Sequence, residues 1–130
     1  MAYVLIIEPN TLLSGLYAQA LSHAGFKVDA VKTAQAAINA ADGNTPDVII
    51  MELQLPEHNG VEFLHELRSY GEWKQIPVIV QTAIPLPRIG SAVDVMQREL
   101  GVTNVLYKPN TTLTTLIAAV QTQLDKMGIA

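Results

Sequence analysis

Asp47-Val48-Ile49-Ile50-Met51-Glu52-Leu53 is the stretch that decides the fold. A strand with one wet face alternates apolar and polar side chains, and this one does not. A continuous apolar run bounded by turn residues is a strand covered on both faces, the habit of parallel sheets flanked by helices. Similar runs lie on either side of it: Tyr3–Ile7 and Phe26–Val31 upstream, Pro77–Gln81 and Thr103–Tyr107 downstream. The proline of Pro77 suits a strand's first position.

Helical patterns fill the gaps. Asn10 or Thr11 caps a helix to about Ala24, with Leu13, Leu16, Tyr17, Ala20 and Ala24 on one stripe and Gly25 as its stop. Thr33 caps an alanine-rich helix that ends near Asp42-Gly43, and a third helix runs from Gly60 to about Ser69. After the proline-marked loop Ile84–Pro87, a fourth runs from Ser91 to Leu100 and stops at Gly101. Thr112 caps the last, whose Leu113, Leu116, Ile117, Val120 and Leu124 fall on one helical stripe. Five strand–helix alternations predict an α/β fold with right-handed crossovers. The expected form is a flavodoxin-like (βα)5, doubly wound, five-stranded parallel sheet in the order 2-1-3-4-5.

Composition narrows the function. The chain has 130 residues, read as a single domain over 1–130 without repeats or linkers, and 49% of them are hydrophobic. Eight basic against twelve acidic residues give a net charge of −4, which argues against nucleic acid as a partner. The absence of cysteine removes disulfides, thiolate metal sites and cysteine nucleophiles. No apolar segment is long enough to span a membrane, and the N-terminus lacks a basic leader before Glu8. A cytoplasmic protein without a membrane partner is expected, with no room for an output domain after the last helix.

In doubly wound sheets, ligands sit beyond the carboxyl ends of the strands, at the switch point between the first and third. Glu8, Glu52, Thr82 and Lys108 fall there, each at or near the end of a different strand. Singly, each is an ordinary polar strand end; two carboxylates, a hydroxyl and an ammonium together make a pocket. The first strand–helix turn, Glu8-Pro9-Asn10-Thr11-Leu12, has no glycine-rich phosphate cradle. A nucleotide-using enzyme is therefore disfavoured, and no enzymatic activity is expected.

The chain resembles the receiver domains of two-component response regulators over essentially its whole length. The matching pieces are Val4–Glu8, Pro46–Leu53 with Leu55-Pro56 and Gly60, Pro77–Ala83, and Lys108-Pro109. The resemblance implies that the position of Glu52 is that of an aspartate phosphorylated by a histidine kinase. It implies further that consecutive acidic residues after the first strand hold Mg²⁺. Thr82 and Lys108 match the residues that bind phosphoryl oxygens, and the Lys108–Pro109 bond matches one that is often cis.

The departures are as informative. Glu52 replaces the aspartate, and one extra methylene displaces the carboxylate by roughly 1 Å, enough to cost about 10²-fold in an in-line transfer. Pro9 stands at the second acidic position, so no metal site is expected beyond weak Mg²⁺ binding by Glu8 and Glu52. Glu52 is read as a built-in charge against Lys108 and Thr82 that replaces phosphorylation. The alternatives are a solvent-facing relic and an Mg²⁺-dependent phosphorelay receiver with weak residual phosphoryl acceptance. The family's switch aromatic, three positions before the lysine, is Val105 here, with Tyr107 two positions later on the same strand face; Thr82, Val105 and Tyr107 are the candidate switch residues. Pro85 and Pro87 stiffen the loop after Thr82, and the Thr82–Lys108 stretch is longer than usual.

Charge is unevenly spread. Asp, Glu, Lys and Arg are absent from Thr11–Phe26, and the last helix is mostly small and neutral outside its core stripe. Depletion of charge marks interface cores, so Leu12, Ala18, Thr115 and Ala119 are interface candidates. The expected partner is a signalling protein such as a histidine kinase, a second copy, or both. His23, His58 and His65 show no metal-ligand spacing; His58 lies nearest the pocket.

Overall fold

β1 (Tyr3–Ile7) and β3 (Val48–Met51) are buried at every residue. Such strands are stable only if helices cover both faces of the sheet. A computed structural model, which describes residues 1–129, has that arrangement. With β2 (Lys27–Val31), β6 (Val78–Thr82) and β7 (Val102–Tyr107), the two strands form a parallel sheet in the order β2-β1-β3-β6-β7. Two short antiparallel strands, β4 (Gln54–Leu55) and β5 (His58–Asn59), lie outside it. In order along the chain, the sheet strands therefore follow the expected 2-1-3-4-5.

Alternation divides the core in two. Leu5, Ile7, Ile49 and Met51 pack on one face, under α2 (Ala34–Gly43), α3 (Gly60–Ser69) and α5 (Ala92–Glu99). Val4, Ile6, Val48 and Ile50 pack on the other, under α1 (Thr11–His23) and α6 (Leu113–Lys126). Asn10, Thr33 and Thr112 cap α1, α2 and α6 by accepting from the backbone N–H groups of Leu13, Ala36 and Thr115.

Besides the β4–β5 hairpin, α1 and the loop after β6 differ from the sequence reading. The buried stripe of α1 is Ser14, Tyr17 and Leu21, while Leu16 and Ala24 are exposed and Ala20 is half-buried. A helix with no charged side chain has no polar face to fix its rotation, so a second apolar stripe looked equally good. The loop after β6 contains a one-turn helix, α4 (Leu86–Ile89), entered through Pro85 and left through Gly90 at φ 61°. The fixed φ of proline suits a helix start, and a left-handed glycine ends it, so the fourth helical region is split.

The segment after β3 is held by a close backbone approach. Gly60 N donates to Leu53 O at 2.8 Å, and a Cβ on Gly60 would sit 2.6 Å from Leu53 Cα. Between them, the tight Pro56-Glu57 turn puts Glu57 at φ 64°, a conformation that favours glycine or asparagine. At the amino edge of the sheet, the Arg68 guanidinium donates to the carbonyls of Trp73, Ile76, Leu100 and Gly101. One side chain thus gathers the segments leading into β6 and β7.

Gly60→Ala is expected to lower stability by about 1–3 kcal/mol, because backbone has to yield to the methyl group. Gly15→Ala, exposed in α1 with nothing near its Cβ, is expected to gain up to about 1 kcal/mol. Urea unfolding midpoints of the two variants measure both.

Candidate functional site

Four sheet strands deliver one side chain each to the carboxyl edge. Glu8 follows β1, Glu52 follows β3, Thr82 ends β6 and Lys108 follows β7. Lys108 Nζ lies 2.7 Å from Glu8 Oε1 and 2.8 Å from Glu52 Oε1, so one ammonium bridges both carboxylates. The carboxylates are buried, Glu8 3% and Glu52 4% exposed, and Thr82 is fully buried. The solvent-facing alternative for Glu52 does not hold.

Backbone amides complete the arrangement. Glu52 Oε2 accepts from Leu53 N at 2.6 Å and Gln54 N at 3.2 Å, while Oε1 accepts from Ala83 N at 3.1 Å beside the lysine. Glu8 Oε2 accepts from Asn10 N at 3.0 Å. Burial is the largest influence on the Glu52 carboxyl and pushes it up. Lys108, the Thr82 hydroxyl and the amides of Ala83 and Gln54 outweigh it and hold the group below its ordinary 4.5. Burial likewise lowers the Lys108 ammonium, but its bonds to Glu52 and Glu8 leave it above 10.5.

This donor set fits Mg²⁺ poorly. Magnesium asks for free carboxylate oxygens in an octahedral shell. Here each Glu52 oxygen already accepts two bonds, Glu8 is shared between Asn10 and Lys108, and Pro9 has no ligand to offer. The lysine ammonium already supplies the positive charge between the acids.

Sequence reasoning missed the amide cradle, since backbone donors leave no trace in residue identity. It also missed a buried bond from Gln81 Nε2 to Tyr17 Oη at 3.0 Å. Burial is the main reason the Tyr17 phenol is raised, and Lys108 opposes it while Glu8 adds to it, so this pair lies within reach of the site's charges. The polar Gln81 inside the apolar Pro77–Gln81 run was the available signal.

Of the switch candidates, Tyr107 pairs with Thr82 in the ladder and Val105 with Val80. Val105 packs into the core under α5, and both it and Tyr107 are half-buried. The Thr82 hydroxyl accepts from Ile84 N, and the Lys108–Pro109 bond is trans. α1 and α6 are neighbours, as the expected order requires. Ala18 and Ala119 are half-buried against the core there, whereas Leu12 is 72% exposed and Thr115 is exposed. His23, His58 and His65 are all exposed, and no cluster of metal-binding side chains occurs among the described residues.

Comparison with known proteins places this geometry. The model of the response regulator receiver domain matches residues 4–121. The chain belongs to that family. Among curated relatives, this receiver is 30% identical over 129 residues to a protein-glutamate methylesterase/protein-glutamine glutaminase of Treponema denticola, covering 98% of this chain and 34% of that one. It is 32% identical over 83 residues to the polar-differentiation response regulator DivK of Brucella anthropi, covering 64% of this chain and 68% of DivK. The receiver thus spans about a third of the methylesterase, and the match carries no catalytic chemistry across. The chemotaxis response regulator CheY4 of Vibrio cholerae superposes with a TM-score of 0.83 at 26% identity, covering 95% of this chain and 99% of that one. No helix among the described residues is long and apolar enough to cross a membrane.

The ion-pair trio sets the response to pH. Glu52 is lowered in the fold, so its contribution is complete above about pH 4.5 and is lost as pH falls through the folded value. Lys108 is raised, so its contribution is complete below about pH 10.5 and is lost as pH rises past that. Lys108→Met, which leaves two buried acids facing each other, is expected to cost about 3 kcal/mol or more at pH 7. The deficit narrows below pH 4.5, as unfolding curves at pH 7 and pH 3.5 measure.

Proposed function

We propose that this receiver is a signalling module that acts by protein contact, with the Glu52 carboxylate standing permanently where the family carries a phosphoryl group. The observation that supports the reading is the Lys108 ammonium shared between Glu8 and Glu52. Phosphoryl transfer to a carboxylate needs a free attacking oxygen and a cation to neutralise developing charge. Glu52 offers no oxygen without two donors already, and the lysine is engaged. Lys108 and Thr82, the family's phosphoryl-binding positions, both act on the glutamate instead. On this reading the site is already charged and ordered, and works without Mg²⁺ or phosphorylation.

Receiver domains interact with kinases and with other proteins, and the proposed partner is such a protein or a second copy of this chain. The exposed Leu12, Leu16 and Leu113 on α1 and α6, with Thr115 beside them in sequence, form the proposed contact region.

The amide NMR spectrum is expected to stay unchanged on adding millimolar Mg²⁺ and then beryllofluoride, a phosphoryl mimic. Glu52→Gln is expected to move the amides of Leu53, Gln54 and Ala83 and those flanking Lys108. Mg²⁺-dependent shifts around Glu8, Glu52, Thr82 and Lys108 in the native protein overturn the proposal in favour of a working phosphorelay receiver.

A further inference from the structure

A cleft of about 350 Å³ opens between the β4–β5 hairpin and the α4–α5 segment, beside the ion-pair site but lined by other side chains. Its size is at the lower end of the range for small-molecule sites. One wall is Leu53, Leu55 and Val61, and the other is Ile84, Ile89 and Ala92. The polar groups are Gln54, His58 and Asn59 on the hairpin side and Arg88 on α4. No acidic side chain lines the cleft.

Arg88 is the informative residue. It is exposed and has no ion-pair partner among the described residues, unlike Arg98, which pairs with Asp94, and Arg68, which serves four carbonyls. A guanidinium is a planar fork that matches a carboxylate with two parallel hydrogen bonds. The hairpin wall is also set firmly, since Gly60 locks its base against Leu53. We propose that this cleft is a binding site for a small monocarboxylate with an apolar, ring-sized body, whose carboxylate pairs with Arg88 while the body lies between the two apolar walls. One fixed positive charge at the rim and six apolar side chains inside favour a monoanion of mostly hydrocarbon surface. An occupant touches Leu53 and Gln54, whose amides hold Glu52 Oε2, and Ile84, which follows the amide of Ala83 on Oε1. The site stands on the cleft's own geometry and does not depend on the reading of Glu52.

The test is a titration of isotope-labelled protein with 2-naphthoate and with its neutral counterpart 2-naphthamide at pH 7, followed by amide NMR. Saturable shifts are expected at Leu53, Leu55, Val61, Ile84 and Ile89. Arg88→Gln is expected to weaken 2-naphthoate by about tenfold, the scale of a lost charge-assisted hydrogen bond. The amide is expected to bind native protein about as weakly as naphthoate binds that variant, and Ala92→Phe, which fills the cleft, to abolish both. The proposal is overturned by an absence of saturable shifts at these residues, by naphthoate affinity indifferent to Arg88→Gln, or by equal binding of the two probes.

Discussion

A single ammonium holds the carboxyl edge of this sheet together. Two carboxylates and one lysine sum to one negative charge in a place almost closed to water. Desolvating such groups costs several kcal/mol apiece unless each is paired and hydrogen-bonded. The excess charge is spread over the N–H groups of Asn10, Leu53, Gln54 and Ala83, which belong to three different strand–helix connections. The lysine comes from a fourth. The loops after β1, β3, β6 and β7 are thereby tied to one another through charge, where the sheet's own hydrogen bonds have ended.

The rest of the fold makes that edge possible. Strands buried on both faces carry their polar side chains toward their ends, so Glu8 and Glu52 appear where the apolar runs of β1 and β3 stop, and Thr82 follows the buried Gln81 at the end of β6. The opposite edge solves the complementary problem. There the Arg68 guanidinium collects four carbonyls, two of which, those of Trp73 and Gly101, also accept from the backbone N–H groups of Ile76 and Val78. Its position constrains its neighbours as tightly as Glu52 does: a Cβ on Gly101, at φ 68°, would lie 2.5 Å from Arg68 Nη2. The helices run back along the sheet, so their carbonyl ends gather at this edge, and Arg68 serves the connections that follow α3 and α5.

Much of this was legible in residue order. The apolar runs located all five sheet strands to within a residue or two at each end, and Asn10, Thr33 and Thr112 announced three helices through their side-chain oxygens. Topology alone then brought Glu8, Glu52, Thr82 and Lys108 to one edge, because strand ends are shared by all sheets of this kind. What escaped was fixed by contacts between distant segments. Which face of α1 turned inward depended on Tyr17 reaching Gln81, sixty-four positions away. The role of Arg68 depended on carbonyls in the connections to β6 and β7. The saturation of Glu52 depended on three N–H groups that any residue but proline would have supplied. Ala18 and Ala119 looked like open surface because a small side chain reads alike on a wet face and in a helix–helix seam.

The position of Glu52 bears on what kind of input such a site can obey. A phosphoryl group is added and removed, so a receiver that depends on one is switched by chemistry at that atom. A carboxylate built into the chain is constant, and its lowered proton affinity keeps it charged across the neutral range. On the proposed reading its partners Lys108 and Ala83 see a fixed charge, and the arrangement changes when something alters the loops that hold it. Those loops are Leu53-Gln54 after β3 and Ala83-Ile84 after β6. They are the same segments that meet in the cleft beneath Arg88. If Glu52 is the permanent counterpart of a phosphoryl group, control passes from covalent modification to whatever docks against its supporting backbone, whether a small acid in the cleft or a protein across the edge.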